Sequence, residues 1–319
     1  MTPSEKIPVV AVVGPTASGK SRLAVQLAKW LFTEIVSADS MQIYRELSVG
    51  TAKPTEKEME GVPHHMIGFL SITETFSVAD YVSAAGACLR KIASEGKIPI
   101  LCGGTGLYVR SLLQNLDFSE SRQDMELRQS LRQKAEREGA SVLVEELRQF
   151  DPESAERIDP NNISRLIRAI EIYRTTGKTM TRLLEESRKT PSPYDVCMLG
   201  LNYRDRSLLY DRINRRVDRM MENGLLEEAK TVLRQEGGKT AMQAIGYKEL
   251  RPYLMGQVPL ETAVETMKQE TRRYAKRQLT WFKREEDIFW LYPDDGEDRL
   301  LPAAKEQIHR HCGERRLPS

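Results

Sequence analysis

Eight residues near the start of the chain, Gly14-Pro15-Thr16-Ala17-Ser18-Gly19-Lys20-Ser21, constrain the fold more than any other feature. They match GxxxxGK[ST], follow the β-branched run Pro8 to Val13, and lead into a segment from Lys20 to Leu31 with Leu23, Leu27 and Leu31 at helical spacing. In that context successive backbone N–H groups and a helix N-terminus cradle an anion. Lys20 adds a mobile positive charge, and the Ser21 hydroxyl can ligate Mg²⁺. A di- or triphosphate is the expected ligand. Two further short strands, Glu34 to Ser37 and Ile98 to Cys102, end in Ala38-Asp39-Ser40 and Gly103-Gly104-Thr105, and the Ser77-x-x-Asp80 cap opens a helix before the second. Strands alternating with helices predict a parallel α/β sheet whose polar turns converge at the carboxyl ends of the strands.

The chain's other features fit a soluble globular protein. Its 319 residues, 48 Lys and Arg against 46 Asp and Glu, and 40% apolar content exclude disorder, a repeat fibre and a membrane protein. Cys88, Cys102, Cys197 and Cys312 are widely spaced with no CxxC pair, which predicts reduced thiols and a cytoplasmic location. Met1 to Lys6 is polar and Ile7 to Val13 runs into a Gly-rich turn, so this end reads as a buried strand and not a signal segment. From about Gln114 to Pro193 no strand is evident, charge is dense, and apolar residues recur at helical spacing. The expected architecture is a P-loop NTPase-like core, residues 1–113 and 194–319, interrupted by an all-helical insertion, 114–193. Val196 to Leu201 returns the chain to the sheet, and Ile288 to Leu291 supplies an edge strand.

Several residues are candidates for chemistry. Asp39 follows a strand and can act as a general base or simply cap a turn. Thr105 can donate to a substrate or cap the next helix. On the helix Leu208 to Met221, Arg216 lies at the edge of the apolar face, where packing could aim it at a phosphate or let it snorkel to solvent. His64 and His65 read as a turn after Pro63, with metal or nucleic-acid binding as the alternative to structural hydrogen bonds. His309, His311 and Cys312 are not expected to hold a metal. The strand Ile98 to Cys102 lacks the terminal acid that an ATPase or GTPase usually places for its metal, which favours small-molecule phosphate chemistry. Near the C-terminus, a helix from Val264 to Arg284 carries Arg272, Arg273, Lys276, Arg277, Lys283 and Arg284 on one arc, with no acid from Arg272 to Arg284. On a chain of net charge +2, that cluster predicts a nucleic-acid face.

Taken together, the motifs resemble the tRNA dimethylallyltransferase (tRNA isopentenyltransferase) family. The resemblance covers most of the chain. It is carried by the eight-residue loop, Ser37-Ala38-Asp39-Ser40 with Gln42 and Tyr44, Gly50-Thr51-Ala52-Lys53-Pro54, Pro63-His64-His65 and Gly103-Gly104-Thr105-Gly106-Leu107-Tyr108. Ser164-Arg165-Leu166 leading to Arg168-Ala169, Ala244-Ile245-Gly246-Tyr247 and Ala275-Lys276-Arg277-Gln278-Leu279-Thr280-Trp281 complete it. Ser21 stands where Thr is common, and Gly68 where an acid is expected. The resemblance implies transfer of a dimethylallyl group from dimethylallyl diphosphate to N6 of the adenosine on the 3′ side of the anticodon, in tRNAs that read codons beginning with U. It implies Mg²⁺ as cofactor and Asp39, Thr105 and Arg216 as catalytic residues, with Gly14 to Ser21 holding the diphosphate. Expected tRNA contacts are Asp39, Ser40, Met41, Gln42, Thr105, Arg128, Ser164, Arg165, Arg168, Gln243, Gly246, Tyr247, Lys248, Arg273, Lys276, Arg277, Gln278 and Trp281. A monomer acting on the anticodon stem-loop, with no membrane partner, is expected. A P-loop kinase and a nucleic-acid-binding ATPase are the rival readings; the first leaves the basic helix unexplained.

Overall fold

The computed structural model describes residues 6–115, 124–234 and 241–313. β1 (Ile7–Val13) turns into α1 (Lys20–Leu31), and β2 (Ile35–Ser37) into a long loop holding α2 (Glu56–Met59) and the two-residue strand β3 (His64–His65). α3 (Val78–Ser94) precedes β4 (Ile100–Gly103) and α4 (Gly106–Leu113). Five helices follow: α5 (Met125–Glu138), α6 (Ser141–Arg148), α7 (Pro152–Arg157), α8 (Ile163–Thr176) and α9 (Met180–Lys189). The chain continues with β5 (Tyr194–Leu201), α10 (Arg206–Glu222), α11 (Leu225–Arg234), α12 (Tyr247–Leu254), α13 (Leu260–Phe282), β6 (Ile288–Leu291) and α14 (Glu297–Cys312).

Two compact units result, one of Met1–Leu113 with Pro193–Ser319 and one of Gln114–Ser192. Among the described residues the first contains a six-stranded sheet of order β3-β2-β4-β1-β5-β6, and every pairing is parallel. Val10 and Val12 pack toward α1 and α14, whereas Val9, Ala11 and Val13 pack toward α3 and α4. A strand buried on both faces explains the unbroken apolar run of β1. A third cluster joins Ile43, Tyr44 and Leu47 of the loop to α11, α12 and α13. The second unit packs Leu131, Leu143, Leu147, Leu166 and Ile170 around its own core.

Two expectations need correction. His64 and His65 are a strand, not a turn: Ile35 donates to the Pro63 carbonyl at 3.0 Å and draws the segment alongside β2, too briefly for periodicity to reveal. The basic helix starts at Leu260 and ends at Phe282, so Lys283 and Arg284 lie beyond its regular turns. At the C-terminal end, where the sequence carries no clear pattern, α14 buries Ala304 and Ile308 against α1 and the sheet. No helix among the described residues is long and apolar enough to cross a membrane.

Candidate active site

The turns after β1, β2 and β4 meet because their strands are neighbours in the sheet. Gly14 (φ 148°), Ala17 (φ 62°) and Gly19 (φ 95°) take positive φ, which wraps the first turn. At Gly14 a Cβ would also lie 2.7 Å from the Leu201 carbonyl oxygen, so only glycine fits. Gly19 offers α1 no side-chain cap, and no acid lies in its first turn, so the free N–H groups and the positive end of the dipole are left for an anion. Ser18 Oγ is buried without a partner among the described residues, and Ser21 is exposed on the first helical turn.

Positive charge is concentrated here. Burial, with Arg216 nearby, lowers the Lys20 pKa, while Asp39 opposes that shift. The Lys20 ammonium donates to the Pro15 carbonyl at 3.3 Å. Burial likewise lowers the pKa of Arg216, against the attraction of Asp39, although a guanidinium remains a cation. Arg216 Nη2 reaches the Thr51 carbonyl at 3.2 Å. It is therefore packed into the site and is not a snorkelling surface residue. Arg212, one helical turn earlier, donates from Nε to the Ala17 carbonyl at 3.0 Å and was not anticipated; its i, i+4 relation to Arg216 was the available signal.

Asp39 caps a turn. Its Oδ1 accepts the N–H groups of Met41 at 2.9 Å and Gln42 at 3.3 Å, an Asx-type turn, and Oδ2 has no hydrogen bond among the described residues. Thr105 joins two turns: its N–H donates to Ala38 O at 3.1 Å, and Oγ1 accepts the Ser40 N–H at 3.0 Å. Burial pushes the pKa of the nearby Tyr274 phenol up to about 12. Glycines surround Thr105 because three neighbours press on the backbone. A Cβ would lie 2.2 Å from Ala38 O at Gly103, 2.2 Å from Gln278 Nε2 at Gly104 and 2.1 Å from the Trp281 ring at Gly106.

The expected RNA-contacting residues divide sharply. Arg273, Lys276 and Arg277 are exposed on α13, with Arg277 5.7 Å from the Tyr274 ring centroid and Arg273 paired to Glu270. Gln243 and Lys248 are exposed, as are Ser164 and Arg165 on the first turn of α8. Gln278 is different: it is 5% exposed, its Oε1 accepts the Thr16 N–H at 2.8 Å, and its Nε2 donates to Gly104 O at 2.9 Å. It ties the phosphate loop to the β4 turn and has no free face. Gly246 and Tyr247 are buried too, and the Tyr247 hydroxyl donates to Glu228 at 2.6 Å. In the second unit Arg128 grips the fully buried Glu171 carboxylate with Nε at 2.7 Å and Nη2 at 2.9 Å, and Arg168 joins them. A buried carboxylate must be paired, and these two arginines pair it.

The histidines are accounted for by structural contacts. His65 Nε2 lies 2.6 Å from Glu34, His64 Nδ1 2.8 Å from Val62 O and His311 Nε2 2.9 Å from Asp195, and His309 stacks obliquely near Trp30. Among the described residues no group of three His, Cys, Asp or Glu could hold a metal.

The IPP transferase family profile matches residues 42–285. The chain belongs to this family. Two relatives are named tRNA dimethylallyltransferase. That of Bacillus subtilis is 51% identical over 96% of both chains, and that of Caldanaerobacter subterraneus is 50% identical over 91% of this chain and 93% of its own. Among solved structures, the full-length tRNA isopentenylpyrophosphate transferase of Bacillus halodurans aligns with TM-score 0.71 at 41% identity, covering 97% of this IPP transferase and 98% of that chain. A eukaryotic dimethylallyltransferase acting on tRNA aligns with TM-score 0.80 at 29% identity, over 96% and 80% of the two chains.

Proposed function

We propose that this IPP transferase, acting in the cytoplasm, moves a dimethylallyl group from dimethylallyl diphosphate to N6 of the adenosine 3′-adjacent to the anticodon, in tRNAs reading codons that begin with U. The observation that carries the reading is the joining of an uncapped phosphate loop, two half-buried cations and Asp39 at one end of the sheet, in a chain of this family.

The allylic C–O bond breaks as the N6–C bond forms, so attack is at carbon and diphosphate leaves. The amides of Gly14 to Ser21, with Lys20 and Arg216, take up the negative charge that develops on the leaving oxygens. Asp39, with Oδ1 fixed in its turn, accepts the N6 proton on Oδ2. Thr105, held by Ser40, positions the amine. The donor set suits a hard cation, since the Ser21 hydroxyl and diphosphate oxygens are all oxygen ligands. Mg²⁺ bound there would neutralise charge on the leaving group. A base stacked in the anticodon loop cannot enter a crevice and must be flipped out. Asp39, Ser40, Met41, Gln42, Thr105, Ser164, Arg165, Gln243, Lys248, Arg273, Lys276 and Arg277 are the residues left to contact the RNA, and the chain is taken to act as a monomer.

The test is incubation of the protein with unmodified tRNA, dimethylallyl diphosphate and Mg²⁺, followed by mass analysis of the digested nucleosides. A dimethylallyl adduct on one adenosine is expected. Its absence, with ATP-dependent phosphorylation of a metabolite instead, would replace this reading with a kinase.

A further inference from the structure

In the loop between the Asp39 turn and α2, three successive amides close on one carboxylate. Glu228, in the first turn of α11, accepts the Ser48 N–H at 3.0 Å and the Val49 N–H at 2.9 Å on Oε2. Its Oε1 accepts the Gly50 N–H at 2.8 Å and the Tyr247 hydroxyl at 2.6 Å. A carboxylate has about four lone-pair sites, and all are used. Three successive amides closing on one anion form a nest, and here the chain supplies its own anion. The fit is tight, because a Cβ on Gly50 would lie 2.6 Å from the Tyr247 hydroxyl.

The next residue carries the consequence. The Thr51 carbonyl accepts from Arg216 Nη2 and from Gln42 Nε2, each at 3.2 Å, and the Gln42 N–H is itself bonded to Asp39. One carbonyl thus joins the guanidinium assigned to the diphosphate to the turn assigned to the proton acceptor. We infer that Glu228 is a positioning residue which, through the 48–51 loop, fixes where Arg216 stands relative to Asp39, and that Tyr247 holds Glu228 in the required rotamer. Water could satisfy the same three amides, but it would leave the loop, and with it the Thr51 carbonyl, free to shift. Charge-assisted bonds to a side chain anchored on α11 do not. This inference rests on the proposed role of Arg216.

The experiment is calorimetric binding of inorganic diphosphate, with Mg²⁺, to the full chain and to Glu228→Gln, Arg216→Gln and the double variant. Glutamine keeps one acceptor oxygen and turns an NH₂ group toward N–H donors, so the clamp is lost with little change in volume. Arg216→Gln should weaken binding about tenfold or more, Glu228→Gln about fivefold, and the double variant no further than Arg216→Gln alone. A purely structural role for Glu228 would lower the melting temperature without this non-additivity. Losses that multiply in the double variant, or wild-type affinity in folded Glu228→Gln, overturn the inference and leave the role of Arg216 standing. Wild-type affinity in Arg216→Gln overturns that role and the inference with it. If Glu228→Gln does not fold, Tyr247→Phe removes one of the four bonds. A loss of about twofold that disappears beside Arg216→Gln is then expected, and no loss refutes the inference.

Discussion

Replacing Gln278 with Leu tests the phosphate loop from behind. The amide is buried and makes two bonds, from the Thr16 N–H and to Gly104 O, each to backbone far away in sequence. Leucine has nearly the same volume, so little cavity is created, and the cost is that of the two lost bonds with their stranded partners. A neutral bond contributes about 1 kcal/mol, and a buried carbonyl or amide left unsatisfied costs about 1–3 kcal/mol. Part-buried Thr16 N–H can recover water, whereas buried Gly104 O cannot, which gives a loss of about 2–4 kcal/mol. For a body of this size that is a fall in melting temperature on the order of 10 °C. Because Thr16 belongs to the diphosphate cradle, diphosphate affinity should fall about tenfold, while the salt dependence of stem-loop RNA binding stays as it was. Calorimetry with diphosphate and RNA titrations at several salt concentrations read both. An unchanged melting temperature and diphosphate affinity, together with a shallower salt slope, would mean that the amide faces RNA and that the bridge is wrong.

Other substitutions separate the remaining roles. Asp39→Asn should reduce turnover about 10²–10⁴-fold while tRNA binding persists, and turnover near wild type would remove Asp39 as proton acceptor. Changing Lys276 and Arg277 together to Gln should lower the slope of log affinity against log salt by about 1.5; an unchanged slope would mean that α13 does not meet phosphate. Arg128→Gln should destabilise the helical unit by about 1–3 kcal/mol in urea unfolding and leave the slope unchanged, because its partner is buried Glu171 and not RNA. The pH dependence concerns Lys20, whose pKa burial lowers from 10.5. An unfolded lysine stays protonated up to that value, so between the lowered value and 10.5 the unfolded state binds more protons and stability rises with pH. Lys20→Met should flatten this rise, and identical pH curves for the two proteins would contradict it.

What could be read from the sequence follows how local each signal is. The strand, loop and helix around Lys20 are contiguous, and Asp39 and Thr105 announce themselves as strand ends, so pattern alone places all three at one crest of the sheet. Arg216 needed its helical phase as well. Glu228 gave no such signal and Arg212 only its i, i+4 spacing from Arg216, because what defines them is a partner 178 residues away for Glu228 and 195 for Arg212. The pairing of Arg128 with Glu171 was hidden in the same way: before its partner is known, an arginine on a charged helix looks like a solvated one.

Gln278 shows a different kind of miss. Ala275, Gln278 and Phe282 stand at i, i+3 and i+7 on α13, and all three are buried, so its phase already belonged to the core face. Gln278 and Trp281 are expected to contact RNA together with Lys276 and Arg277, but a helix divides these residues between two sides. Lys276 and Arg277 face outward; Gln278 faces the phosphate loop, and Trp281 lies against Gly106. Substitutions along residues 275–281 should therefore alternate in phenotype with a period of about 3.6 residues, outward ones altering RNA affinity and its salt slope, inward ones altering diphosphate affinity and stability. Helical phase, and not membership of the motif, is what should sort them.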